Sequence, residues 1–328
     1  MWGAHFRRRL CTTPATRLKN KRVALVVAYD GGGFHGSAMQ KDVPTVEQAV
    51  FDALAATGAL NLREGHAPNA STWQRCSRTD KGVHARRLVL GMKVRVDPGV
   101  VDEHRRMRGL VDAVNDHLPA SVRVLSAVQT SRGFQPRRYT YARTYEYVLP
   151  LWVLGGTAPG AACVEGRLEA FKATMGLYVG NNLFHNFTNP GTRATHVRLA
   201  APLPRELALP SEATRATATT DISDTDTFAV YPREAFADTS LWRLDAEAFR
   251  TVFKAAVSDP HVLTDGTRSC PVVTVRVVGS SFLLHQIRYM VGMAVAVAQG
   301  VLPVEFVRAA LLLPRMPPLP RVPPAGLL

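Results

Sequence analysis

The stretch SRTDKGVHARR, residues 77–87, sets one carboxylate, Asp80, among the cations Arg75, Arg78, Lys81, Arg86 and Arg87. An aspartate beside an arginine is ordinarily a solvated ion pair worth little. The alternative is a carboxylate kept ionised for chemistry, because neighbouring cations lower its pKa and the ionised form can act as nucleophile or base. A second basic run, Arg132, Arg137, Arg138 and Arg143, contains no acid. It suits either a solvated rim or a surface that follows a phosphate backbone. His84, His185 and His285 have no spacing that joins a pair to a third ligand, so no metal site is expected. Cys11, Cys76, Cys163 and Cys270 lie far apart without a C-x-x-C, which points to neither zinc nor a disulfide framework. A metal-dependent nuclease would need clustered acids near the basic motifs, and the sequence supplies none there.

These residues need elements to hold them. RVALVVAY (22–29) is a nearly continuous apolar run ending in DGGGFHG, which reads as a central strand entering a turn. After Pro44, TVEQAVFDAL offers Thr45 as N-cap with Gln48 as its capping-box partner, then Val46, Val50 and Leu54 at helical spacing. LVLGMKVRV (88–96) alternates Met92, Val94 and Val96 with Lys93 and Arg95, a strand with one wet face. Asp80 then falls in the Gly-containing loop just before that strand, where a rigid sheet can hold a reactive side chain. TYEYVL (144–149) and PVVTVRVVG (271–279) alternate in the same way. SFLLHQIRYMVGMAVAVAQG puts Leu284, Ile287, Val291, Val295 and Ala298 on a helical stripe, with Arg288 on its flank and Gly300 as its stop. Strands and helices alternate in both halves, which favours an α+β fold over a doubly wound parallel sheet.

With 328 residues and 46% hydrophobic content, the chain can bury a full core in one large domain or two fused halves. Its 40 Lys and Arg against 26 Asp and Glu give +14, suited to a partner carrying phosphates. Seven basic residues, Arg7, Arg8, Arg9, Arg17, Lys19, Lys21 and Arg22, precede the first acid, Asp30. Setting them aside leaves 33 against 26, or +7, so the body remains basic. Residues 1–21 have the Arg-rich, acid-free composition of a mitochondrial transit segment, with a nuclear address or a basic RNA-binding arm as the alternatives. No apolar run approaches a membrane span. Residues 200–240 lack apolar periodicity and read as a surface insertion, and the Pro-rich 314–325 must be extended.

QRCSRTDKGVHA (74–85), GFQPRRYTYARTYEYVLP (133–150), LFHNFT (183–188) and SFLLHQIRYMVG (281–292) occur in an order that resembles the TruA-type tRNA pseudouridine synthases, especially their eukaryotic branch. YDGGGFHGSAMQ (29–40), VNDHLPASVRVL (114–125) and PPLPRVPPAGLL (317–328) extend the likeness from about residue 22 onward, interrupted chiefly at 200–240. The resemblance implies two ferredoxin-like halves, 22–130 and 131–328, forming one extended, mainly antiparallel sheet with helices on one face and a central RNA-binding cleft. It implies a cofactor-free isomerisation in which uracil leaves its ribose at N1, turns, and rejoins through C5. Asp80 matches the catalytic aspartate, acting either on the sugar C1′ or on a 2′ proton. Tyr145 matches the active-site tyrosine that stacks on uracil or moves a proton at C5, and Arg288 the basic partner of the aspartate. Arg78 and Lys81, with Arg132, Arg137, Arg138 and Arg143, would contact RNA, and Phe187 and Leu327 would line the uracil pocket. The implied partner is tRNA, or else rRNA. A second reading is an RNA-binding scaffold, for instance in mitochondrial ribosome assembly, that keeps the fold without using the chemistry. GSAMQ carries two residues between Gly36 and Met39 that the family's usual G-M-Q lacks, and FQPRRYTYARTY is locally unusual; both bear on loop geometry and substrate choice.

Overall fold

Strand β1 (Lys19–Tyr29) alternates strictly: Val23, Leu25 and Val27 are fully buried and Tyr29 nearly so, while the residues between them face the other side. The computed structural model describes residues 18–60, 73–155, 161–192, 197–199, 242–244, 249–266, 268–313 and 316–328. They divide into two units, one made of the described residues up to Val148 together with Pro323–Leu328, the other of Leu149–Val322.

In the first unit β1 is followed by α1 (Val46–Ala56), β2 (Trp73–Arg75), β3 (Ala85–Val96), α2 (Arg108–Asn115) and β4 (Val122–Gln129). The sheet order is β2-β3-β1-β4 with every pairing antiparallel. This βαββαβ succession with its split order is the ferredoxin-like arrangement. One face buries Leu88, Leu90, Met92, Val94 and Val96 of β3 with Val50 and Leu54 of α1 and Leu110 and Val114 of α2. Each such side chain contributes about 1.5–3 kcal/mol through removal from water. Lys93 and Arg95 stay exposed, as the alternation requires. At the end of α2, Asn115 donates its Nδ2 to Val124 O (2.9 Å) and accepts Val124 N–H at Oδ1 (2.8 Å). That exchange satisfies the backbone where the β1/β4 register shifts.

Thr45 caps α1 by accepting the Gln48 N–H, but Gln48 does not reciprocate; its amide donates to Asp52 Oδ1 at 2.8 Å, one turn along the helix. The expected capping box is therefore half formed. Lys19, Asn20 and Lys21 already pair with Val96, Arg95 and Val94. The basic segment assigned to 1–21 thus overlaps the sheet, and its residues 1–17 lie outside the described ones.

A short helix, α3 (Pro136–Tyr139), precedes β5 (Arg143–Pro150), whose residues up to Val148 belong to the first unit. The boundary between units falls at Val148/Leu149 rather than at residue 130, because α3 packs beside β2 and β3. Residues Pro323–Leu328 return to the same unit: Leu328 N donates to Glu146 O, Glu146 N to Leu328 O, and Tyr147 bridges Leu327.

The second unit holds α4 (Trp152–Gly155), α5 (Ala161–Gly176), β6 (Gly180–Leu183), the paired β7 (Val197–Leu199) and β8 (Trp242–Leu244), β9 (Phe249–Val257), β10 (His261–Asp265), β11 (Arg268–Gly279), α6 (Gln286–Ala298) and α7 (Glu305–Leu312). Its strands run β10-β11-β9-β6, all antiparallel. Val273, Val275 and Val277 lie buried along β11, as do Phe171 and Met175 of α5 and Met290, Val291 and Ala294 of α6. Helix α6 ends in a Schellman closure, with Val301 N donating to Ala296 O, Gly300 N to Val297 O, and Gly300 at φ +74°. Its start differs from expectation. His285 adopts the left-handed φ of +64°, so the helix begins at Gln286 and Leu284 stands exposed ahead of it. The expected insertion at 200–240 lies outside the described residues.

Candidate active site

The catalytic-loop candidate runs from the end of β2 to the start of β3, and the Gly-rich turn after β1 lies directly beneath it. A Cβ on Gly31 would sit 1.9 Å from Val83 O, and one on Gly36, at φ +95°, would sit 2.7 Å from Thr79 O. Only glycine permits these approaches. Thr79, next to Asp80, is pinned three ways: its N–H donates to Ser37 Oγ (2.9 Å), its carbonyl accepts Ser37 N–H (3.2 Å), and its hydroxyl meets Tyr29 OH (2.8 Å). Beyond Asp80 the chain turns at once, with Val83 N donating to Asp80 O and Gly82 N to Phe34 O. His84 Nδ1 is 2.9 Å from Asp30 Oδ1, and His84 N–H donates to Leu327 O. Asp80 is half-buried and takes part in side-chain interactions; Arg78 and Lys81 are exposed.

Upstream of the loop a buried carboxylate fixes β2. Glu47, in the first turn of α1, has no exposed surface. It accepts two bonds from Arg75 (Nε 2.5 Å, Nη2 2.7 Å) and one from Trp73 Nε1 (3.1 Å). Its own N–H donates to Ser37 O, so the residue that holds β2 also holds the serine that positions Thr79. The sequence reading missed Glu47, Ser37 and Tyr29. For Glu47 a signal was present: it shares the i, i+3, i+7 stripe with Val50 and Leu54, where a carboxylate needs a partner.

Tyr145 of β5 approaches the same loop. Its hydroxyl is withdrawn from water, which pushes its pKa up; the Arg143 guanidinium opposes the rise, Cys76 adds to it, a hydrogen bond with Ser77 lowers it, and Asp80 raises it. Asp80, Tyr145, Ser77 and Arg143 therefore form one electrostatic group in the first unit. Arg143 Nη2 donates to Cys76 O (2.8 Å), which ties this arginine to the loop rather than to an outer rim. Arg132, Arg137 and Arg138 are exposed around α3.

Leu327 is buried in the tail that meets β5, beside His84. Phe187 has no exposed surface; it packs edge-on against Tyr178 (5.4 Å) and Phe184 (5.6 Å) in the second unit, so its observed place is core packing rather than a pocket wall. Phe184, His185, Asn186 and Thr188 of LFHNFT are likewise interior. Asn186 donates to Ala310 O and Leu313 O and accepts Met316 N–H, His185 Nε2 lies 2.6 Å from Leu313 O, and Thr188 donates to Leu284 O. Arg288, also in the second unit, is buried on α6; its Nε donates to Val322 O at 2.8 Å and its own carbonyl accepts Val322 N–H.

Among the described residues no cluster of His, Cys, Asp and Glu could hold a metal ion, and no helix is long and apolar enough to cross a membrane. Residues 238–328 match a family model described as tRNA pseudouridine synthase. The chain is 28% identical to tRNA pseudouridine synthase 1 of Candida glabrata, across 95% of this chain and 60% of the relative. It is 26% identical to the Pseudouridylate synthase 1 homolog of Mus musculus, across 88% and 55%. With tRNA pseudouridine synthase 1 of Schizosaccharomyces pombe identity is 33%, across 43% of this chain and 25% of the relative. The chain spans about three fifths or less of the length of each of these relatives. The chain is thus similar to proteins named tRNA pseudouridine synthase 1 and Pseudouridylate synthase 1 homolog, and its residues 238–328 match the tRNA pseudouridine synthase family model.

Proposed function

We propose that this chain converts uridine to pseudouridine in tRNA, with Asp80 as the carboxylate that acts at the ribose. In that isomerisation the N1–C1′ bond breaks and a C5–C1′ bond forms. The proton lost from C5 is balanced by one gained at N1, so no cofactor is consumed. The observation that carries the reading is the immobilised Asp80 loop with the Tyr145 phenol alongside, in a chain similar over most of its length to named synthases. Because burial raises its pKa, Tyr145 stays a phenol at neutral pH. It is fitted to pack on the extruded base and to donate a hydrogen bond rather than to act as a standing base. Arg288 enters the reading as partner of the aspartate on its motif alone. The Arg-rich, acid-free opening supports delivery to mitochondria, which imaging of the tagged full chain tests: a nuclear or cytosolic signal refutes it.

Forming the C5 glycosidic bond expels the C5 hydrogen, so tRNA carrying uridine tritiated at C5 reports the reaction as released tritium. Wild-type chain should release it. Asp80→Asn should lower the rate by about 10²–10⁴-fold or more, the scale of losing a positioned acid–base or nucleophilic group. RNA affinity should hold within about twofold, since one carboxylate adds nothing to phosphate binding. Release that survives the substitution excludes the role given to Asp80. A wild-type chain that binds tRNA yet releases no tritium favours the scaffold reading.

A further inference from the structure

The segment from Arg132 to Tyr141 has chemistry that isomerisation does not use. Tyr139 is 68% exposed and Tyr141 84% exposed, in a stretch that bears Arg132, Arg137 and Arg138 and no acid. The Tyr139 ring lies on Phe134, with centroids 5.6 Å apart and planes 28° from parallel. Such rings would ordinarily be buried, and here they are held out.

What holds them out is a built support. Leu90 and Met92 point into the helix-covered core, so Gly91 between them faces the opposite side of the sheet. The Pro136 ring rests there, so close that a Cβ on Gly91 would come within 2.7 Å of it. Arg22, next to Val23 on β1, reaches the same side. It is buried, and its guanidinium donates to Phe134 O from Nε (3.3 Å) and Nη2 (3.2 Å) and to Gln74 Oε1 (2.7 Å). Local bonds close the turn above: Phe134 N to Ser131 O, Tyr139 N to Gln135 O, and Thr140 Oγ1 to Pro136 O. A rigid base beneath and an exposed stacked ring above make a platform whose ordering cost is met during folding rather than on binding.

We propose that Tyr139, backed by Phe134, is a stacking site for one unpaired base of the RNA, with Arg132, Arg137 and Arg138 holding the phosphates beside it. The inference deepens the RNA reading above and rests on it. Cations without an acid select a polyanion, and a flat exposed ring selects a partner that also presents flat π-faces. An unpaired RNA segment satisfies both conditions. A duplex offers the phosphates with its bases already stacked, and an acidic peptide offers the charge without the bases.

The test uses the full chain and a short single-stranded oligoribonucleotide containing 2-aminopurine, with its duplex and polyglutamate as comparisons. Tyr139→Ala should weaken single-strand binding about tenfold, within the range for losing one base–aromatic stack, and should abolish the fluorescence quench on binding. Tyr139→Phe should retain both. The salt dependence of Tyr139→Ala should match wild type, since no charge is removed, whereas Arg138→Ala should flatten it. Wild-type affinity in Tyr139→Ala, equal losses in the Ala and Phe variants, an equal loss on duplex RNA, or competition by polyglutamate as strong as by RNA would each overturn the proposal. Absence of tritium release by wild type strikes only at the isomerase activity, because the stacking site is read from binding.

Discussion

Glu47→Gln tests whether the Asp80 loop is held by the buried carboxylate beneath β2. The substitution keeps the volume, but it replaces an acceptor of three side-chain bonds with an amide that presents one oxygen and an NH₂ facing other donors. Removing one partner of a buried ion pair costs about 3–5 kcal/mol. The Arg75 side chain keeps 27% of its surface exposed while Glu47 keeps none, so the stranded guanidinium can recruit water. That relief brings the expectation to about 2–3 kcal/mol. At about 2–4 °C per kcal/mol for a unit of this size, the melting temperature should fall by roughly 5–10 °C. Tritium release measured well below that melt should also fall, because Ser37 is held by the Glu47 backbone and holds Thr79 in turn. The double variant Glu47→Gln with Arg75→Met should recover part of the loss, with a coupling of about 1–3 kcal/mol, since it removes the stranded charge. A melt shifted by less than about 2 °C, or strictly additive single variants, would refute the idea that this pair carries the loop.

Gly31→Ala should cost at least the roughly 1–3 kcal/mol of an overpacked interior, because its Cβ meets the Val83 carbonyl, and should depress turnover. Gly33→Ala, with nothing within 4 Å of its Cβ, is the control, and equal melting of the two variants would disprove the close-approach argument. Burial raises the pKa of Tyr29, Tyr145 and Tyr178 above the ordinary value of 10.0. Phenols that hold their protons more tightly in the folded chain add stability that is fully present below pH 10 and is lost as pH climbs from there through the folded values. Urea midpoints should therefore decline above pH 10, with phenolate absorbance from these three appearing only on unfolding. Ionisation of all eight tyrosines near pH 10 in folded protein would contradict it.

The parts of the fold that repeat locally were legible in the chain. The continuous apolar run marked β1 as a strand, alternation in β3 and β11 gave the right buried faces, and the Thr45 cap and the Gly300 stop came from short-range backbone rules. Asp80 stood out through its charged neighbours, and its loop lies where the strand reading put it. Contacts across long separations were not legible. Arg22 falls in the strand at 22–29 and is set aside only in the charge count, with no hint that its partners are 52 and 112 residues away. Gln48 turned to Asp52 because an exposed amide prefers a neighbour on its own helix face to the N-cap backbone. The late start of α6 depends on one left-handed residue, His285, and side-chain periodicity carries no record of φ.

The route of the chain through its first unit has a consequence for synthesis. Residues up to Val148 leave the ribosome before the second unit, but the hexapeptide that ladders onto Glu146 and caps His84 is made only after it. Although domains tend to fold in the order they emerge, the amino-terminal unit lacks these backbone partners beside the Asp80 loop until Pro323–Leu328 arrives. Vectorial translation thus orders the steps: the intervening unit can close upon itself before the unit bearing Asp80 is complete.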